Sequence, residues 1–179
     1  MVESAWGGVG SVEVDRLFRV TDSVCAQAGR VGPAAGVAVR LLGRVRRVVG
    51  AAPVLEEVEV FGNLLAEQCD RLQSRLRQGP RVLAERGRCS VLVADLHREQ
   101  RWPVFRATAA SRYGLAAVHV EPLMFRGGPA IGSLAWYTDR PSGFSSPAAL
   151  ARRREYAAQV TVRLLATWPV GPAGRRPPR

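Results

Sequence analysis

The chain of 179 residues contains no lysine; all 26 of its basic residues are arginine. With abundant Ala, Gly and Val, that absence points to a GC-rich coding sequence, which accounts for Arg over Lys but not for the net charge of +11. Cysteine is scarce. Cys25, Cys69 and Cys89 are odd in number, far apart and form no CxxC pair, which argues against a disulfide framework and predicts three reduced, mostly buried thiols. Histidine is scarcer still: His97 and His119 are the only two, and neither stands in a metal-ligand spacing pattern, so no zinc site is expected. No GxSxG, Walker, GxGxxG or HExxH pattern occurs, and Gly127-Gly128 reads as a turn rather than a phosphate cradle. Apolar runs fall well short of the about 18 residues that a membrane span requires. The start, MVESAWGGVGSVEVDR, has neither a basic n-region nor an apolar h-region. These absences together predict a soluble cytoplasmic protein with no membrane partner, no cofactor and no catalytic residues.

Hydrophobic residues make up 47% of the chain, a globular rather than a disordered composition. The arginine excess leaves a nucleic-acid partner open, through counterion release from phosphates. The arginines are scattered along the sequence, however, and do not form one stripe.

Residues 1–11 are small and Gly-rich and are expected to fray. Over 12–28, Val14, Leu17, Phe18, Val20, Val24 and Cys25 recur at three- and four-residue steps, which predicts a helix stopped by Gly29, Gly32 and Pro33. GVAVRLL (36–42), Gly43-Arg44 and VRRVVGA (45–51) predict a β-hairpin. A single helix over 34–49 is the rival, because Val37, Leu41, Val45 and Val48 also fit a helical step. After Pro53, the positions Leu55, Val58, Phe61, Leu65, Cys69, Leu72 and Leu76 predict one long amphipathic helix, soft at Gly62-Asn63 and ended by Gly79-Pro80.

The stretch 91–137 reads as strand, helix and hairpin. SVLVAD (90–95) is a buried strand; Pro103 opens a helix that Gly114 stops. LAAVHVEPLMF (115–125), a strand interrupted at Pro122, turns at RGGP (126–129) into AIGSLAWYT (130–138). Trp136 and Tyr137 point to opposite faces of that strand. A last helix starts at Ser146-Pro147 and runs to 166, with Leu150, Val160 and Leu164 on one side and Arg152, Arg153, Arg154 and Arg163 mostly on the other. The Pro/Gly/Arg tail, 167–179, is expected to be disordered.

The order of these pieces resembles a known family. QGPRVLAERGRCSVLVADL (78–96), RWPVF (101–105), RYGLAAVHVEPLMFRGGPAIGSLAWY (112–137) and the Phe-Ser-Ser-Pro helix start (144–147) are similar to the GAF domain of actinobacterial regulators, a kind often fused to an RNA-binding ANTAR domain. The resemblance covers residues 12–166. It implies an α/β (α+β) fold, like that of PAS domains: a central antiparallel sheet of five or six strands with helices on both sides. It also implies a ligand pocket between the sheet and the segment 95–113, and dimerisation through the terminal helices. Three departures are visible. Arg81 stands where a cysteine commonly follows Gly-Pro in this group, no ANTAR helices follow residue 166, and neither the cyclic-nucleotide signature nor the bilin-attaching Cys-His pair is present. The cysteine trio of the free methionine sulfoxide reductases, which share the fold, is not reproduced either.

The resemblance therefore implies a stand-alone sensory or regulatory domain, a homodimer that binds an unknown small molecule or partner protein without catalysis. Asp95, Trp102, Phe105, His119 and Trp136 are its candidate pocket residues. Each also has a plain structural role: Asp95 as a loop cap, the aromatic rings as core, His119 as a satisfied buried histidine. Two other readings stand beside it. One is a basic nucleic-acid-binding regulator on the same scaffold; the other is a cryptic redox reductase using Cys89.

Overall fold

The computed structural model describes residues 11–31, 34–42, 57–124 and 128–167. Two short segments rich in β-branched and other apolar residues build one edge of a sheet. β1 (Gly36–Leu42) and β2 (Glu57–Phe61) pair antiparallel, Ala38 opposite Phe61 and Leu42 opposite Glu57. β3 (Val91–Val93), β4 (Ala117–Met124) and β5 (Ala130–Thr138) complete it, and every pairing is antiparallel in the order β2-β1-β5-β4-β3. The sheet has five strands, within the expected architecture.

Helices cover both faces because both faces are apolar. β5 lies in the middle and is buried from Gly132 to Thr138, so its alternate side chains feed two separate cores. On one face Val37, Val39, Leu41, Leu134 and Trp136 pack against α1 (Ser11–Ala28) and α5 (Pro147–Thr167). On the other, Ala38, Val118, Val120, Ala135 and Tyr137 pack against α2 (Leu64–Leu76), α3 (Pro80–Gly87) and α4 (Pro103–Tyr113). Trp136 and Tyr137 thus each fill a core, one on either side of the same strand.

The local signals act largely as the sequence predicts. α1 ends at Ala28, and Trp136 Nε1 donates to the Ala28 carbonyl at 3.0 Å, satisfying one of the acceptors left open at the helix end. Pro103 sits in the first turn of α4, and Gly114 ends it in the left-handed region at φ 65°. Gly132 is required by proximity: a Cβ there would stand 2.1 Å from the Arg40 carbonyl oxygen of β1.

Two expectations are corrected. The long helix predicted from Pro53 is a strand followed by a helix: 57–61 is β2, and Gly62-Asn63 is the junction. Asn63 caps α2, its side-chain oxygen accepting from Ala66 N–H at 3.0 Å while its amide donates to Ala35 O. β4 also runs through Pro122 without interruption. β3 pairs only with Val118–Val120, so no third strand asks Pro122 for a donor on that side. The predicted hairpin is corrected as well: β1 is a strand, but its two edges are taken by β2 and β5, so its hairpin mate is 57–61 and not 45–51. Residues 45–51 themselves, the first half of the RGGP turn and the terminal segments 1–10 and 168–179 lie outside the described residues.

Candidate functional site

The five candidate residues do not converge. Trp102 and Phe105, at the start of α4, are buried in the core beneath α2–α4. His119 of β4 and Trp136 of β5 lie on the opposite face, as register neighbours. Asp95 follows β3 and caps a short 3-10 turn (Leu96–Arg98). Its Oδ1 accepts from His97 N–H at 2.9 Å, and its Oδ2 lies 3.7 Å from Arg98 Nε. It lines an open cavity of about 580 Å³ with Arg98, Glu99 and Ser142. Trp102 is roofed by the Arg101 guanidinium, 4.4 Å from its ring, and Arg101 in turn forks onto Glu99 at 2.9 and 2.6 Å. That pairing holds the Glu99 carboxyl below its usual range.

Beneath α2 and α3, the same face of the sheet carries a buried ionic network. Tyr137 Oη donates to Asp70 Oδ1 at 2.8 Å and accepts from Gln73 Nε2 at 3.0 Å. Gln73 Oε1 accepts from Arg81 N–H at 2.7 Å. The Arg81 guanidinium reaches Asp70 Oδ1 at 3.1 Å, Ser74 Oγ at 2.7 Å and Glu85 at 3.1 Å; Glu85 also accepts from Ser133 Oγ at 2.7 Å. Asp70, Gln73, Arg81 and Tyr137 are all at most 1% exposed. Burial pushes the Asp70 carboxyl up, to about 7, against the pull of the Tyr137 hydrogen bond. Burial and the Asp70 charge together push the Tyr137 hydroxyl well above its ordinary range. The network holds α2 and α3 on the sheet; the sequence marked Arg81 as a departure and Tyr137 as a strand aromatic, but not Asp70, Gln73 or Glu85, nor the linkage among them.

The other face carries a second polar cluster. His119 stacks on Trp136, ring centroids 5.6 Å apart, and its Nε2 lies 3.2 Å from Ser90 Oγ and 3.0 Å from Glu121 Oε1. Ser90 donates to the same Glu121 oxygen at 2.8 Å. Serine, histidine and carboxylate together invite a catalytic reading, but the order is wrong. In a relay the carboxylate orients the nitrogen that faces away from the nucleophile. Here Glu121 meets the nitrogen that meets Ser90, and His119 Nδ1 is buried without a hydrogen bond. Ser90 spends its proton on Glu121 and is not activated.

Arg153 corrects the expected helix face. It belongs to the buried row Ala149, Arg153, Ala157 of α5, and its guanidinium stacks 4.2 Å from the Phe144 ring and 5.5 Å from Trp136. Burial, then Arg152, lowers it to about 10, so it stays charged at neutral pH. Arg152 and Arg154 do face outward. Between β4 and α5 the cluster opens into a groove of about 320 Å³ whose walls include Arg88, Cys89, Ser90, Glu121, Met124 and Arg154. Among the described residues no group of three His, Cys, Asp or Glu side chains could hold a metal.

No protein-family model matches the chain, and no curated protein matches it. Solved structures do. The GAF domain region of a protein from Geobacter sulfurreducens PCA superposes with a TM-score of 0.59 at 14% identity, over 86% of this chain and 95% of that one. The fold is that of the GAF domains. A type II free methionine-R-sulfoxide reductase from Thermoplasma acidophilum matches this GAF fold with a TM-score of 0.57 at 16% identity, over 87% and 96% of the two chains. The blue-light absorbing form of the PixJ GAF domain from Thermosynechococcus elongatus matches at 0.53 and 13% identity, over 87% and 89%.

Proposed function

We propose that this GAF-fold chain is a sensory or regulatory domain, of the kind found in actinobacterial transcription regulators, that binds a small molecule or partner protein and signals without catalysis. The observation that carries this reading is the position of α5. Arg154, Ala157, Ala158 and Thr161 of α5 wall the groove beside Glu121, while other α5 side chains hold α1: Tyr156 Oη donates to Val24 O at 2.9 Å and Arg163 Nη1 to Gln27 Oε1 at 2.9 Å. An occupant of the groove therefore touches the helix that carries a signal to α1. In this reading α1 and α5 form the homodimer surface.

The thiols confine the reductase alternative to Cys89. Burial pushes the Cys25 thiol to about 11 and the Cys69 thiol to about 12, far from a reactive thiolate. Cys89 alone of the three is exposed. No helix of the described residues is long and apolar enough to cross a membrane.

Native mass spectrometry of the full chain, with light scattering at high concentration, tests the reading. A dimer that retains a noncovalent small-molecule mass is expected. A strict monomer in light scattering refutes the dimer, and catalytic turnover that disappears in Cys89→Ser refutes the non-enzymatic assignment.

A further inference from the structure

We infer that the groove between β4 and α5 binds a small zwitterion, with a protonated amine on Glu121 and a carboxylate or phosphate on Arg154 and Arg88. The inference rests on the ligand-sensing reading above and adds the site and the ligand's charge pattern.

Glu121 is the starting point. Its side chain is only 6% exposed, yet it forms part of the groove wall. Oε1 is fully engaged, taking Ser90 Oγ at 2.8 Å and His119 Nε2 at 3.0 Å. Among the described residues Oε2 takes no hydrogen bond, and it is not sealed from solvent. A carboxylate so far from bulk water needs a counter-charge. His119 Nε2, at 3.0 Å from Oε1, is a counter-charge only when protonated; the permanent cation paired with Glu121 is Arg154, whose Nε lies 3.7 Å from Oε1 on a side chain 68% exposed, and at that distance and exposure it neutralises Glu121 only in part. The open oxygen is thus an acceptor waiting for a cationic donor within the groove.

The same groove carries the opposite charge. Arg154 comes from α5 and Arg88 from the turn after α3, and both line it. A simple anion would meet the arginines but face the buried carboxylate. A simple amine would satisfy Glu121 and meet two guanidinium groups. A molecule with both charges satisfies both walls, and Met124 and Ala157 offer apolar contact to its remainder. A metal ion is disfavoured, because the carboxylate and imidazole are spent on each other and, among the described residues, no third His, Cys, Asp or Glu joins them. About 320 Å³ lies at the small end of ligand sites, which suits an amino-acid-sized molecule.

The test is thermal unfolding of the full chain with common free amino acids, β-alanine and phosphoethanolamine, each added separately at about 10 mM. At least one of these probes should raise the melting temperature by about 3–6 °C when present at about ten times its Kd. The N-acetyl form of that probe, which lacks the ammonium charge, should not. Glu121→Gln should abolish the shift. Arg154→Gln, on an exposed side chain, should reduce it; this variant keeps the test decisive if Glu121→Gln does not fold. No shift with any probe overturns the inference. So does an equal shift from the N-acetyl form, or a shift from inorganic phosphate alone that survives Glu121→Gln. Amide hydrogen exchange in α1 and α5 separates the two proposals: binding that leaves both helices unchanged refutes the signalling role and leaves the zwitterion site standing.

Discussion

Arg81 Nε lies 3.1 Å from Asp70 Oδ1, with the two side chains 1% and 0% exposed, so the region between α2 and α3 is held by an ion pair cut off from water. Such a pair contributes little relative to a well-packed apolar replacement, but breaking it strands a charge. Arg81→Met should therefore lower the unfolding free energy by about 3–5 kcal/mol in urea at neutral pH. The double variant Asp70→Leu with Arg81→Met should recover most of that loss. Recovery of less than half would mean that the Gln73 and Tyr137 hydrogen bonds, and not the ion pair, hold the helices.

The same carboxyl sets a pH dependence. Asp70 is raised in the fold to about 7 from an ordinary value of 3.8, so the folded state favours its neutral form. Its contribution to stability is fully present below about 4 and is lost as pH rises through about 7. Asp70→Asn removes this titration. The difference in unfolding free energy between the native chain and Asp70→Asn should fall from about pH 4 to about pH 7 and level off above it in denaturant titrations. A flat difference would show that Arg81 keeps Asp70 ionised across the whole range.

Much of the architecture was legible because it rests on local chemistry. Pro103 and Gly114 bracket α4 by backbone preference alone, and the short apolar, β-branched and aromatic runs 36–42 and 130–138 mark strands that pair with each other. β2 was misread although Glu57-Val58-Glu59-Val60 alternates strictly, because Val58 and Phe61 also continue the helical step of α2. The burial of Arg153 follows from the four-residue step Ala149, Arg153, Ala157; three consecutive arginines conceal which one faces inward.

The site was less legible, since it depends on register and on long-range pairing. His119 and Trp136 share a face only because β4 and β5 pair them, and nothing local places Trp102 on the other side. Arg81 was visible as a departure from the family pattern, but its partner Asp70 is eleven positions upstream on another helix, and only the turn at Gly79-Pro80 brings them together. Three of the arginines behind the net charge of +11, Arg40, Arg81 and Arg153, are buried and so are not available to a nucleic-acid partner.

The contact of β5 with β1 predicts a sharp steric effect. A Cβ at position 132 would stand 2.1 Å from the Arg40 carbonyl oxygen and 3.0 Å from Leu41 Cα, both backbone atoms of a central strand that cannot turn aside. Gly132→Ala should cost about 2–3 kcal/mol and lower the melting temperature by about 4–12 °C. An unchanged melt would show that β1 and β5 separate freely.

The three cysteines should differ in reactivity. Cys25 and Cys69 are buried and pushed to about 11 and about 12, while Cys89 is exposed on the groove wall. A thiol reagent such as dithionitrobenzoate should label one cysteine rapidly in the native chain, and the remaining two only after denaturation. Cys89→Ser should remove the fast phase completely. Fast labelling of a second thiol would indicate local opening of α1 or α2.

Trp136 joins the sheet to α1 through a single donor, its Nε1–H at 3.0 Å from the Ala28 carbonyl at the end of that helix. Trp136→Phe retains an aromatic ring against His119 but leaves the carbonyl without this partner in a buried setting. The Ala28 carbonyl keeps Val31 N–H at 3.2 Å, so the cost has two parts: one lost hydrogen bond, about 0.5–1.5 kcal/mol, and the packing lost from the smaller ring. Hydrogen exchange should tell them apart. If the hydrogen bond anchors α1, amides in its last turn should lose protection before those of β4 and β5. A uniform loss across both would assign the effect to core packing, and α1 would then be held mainly by its contacts with α5.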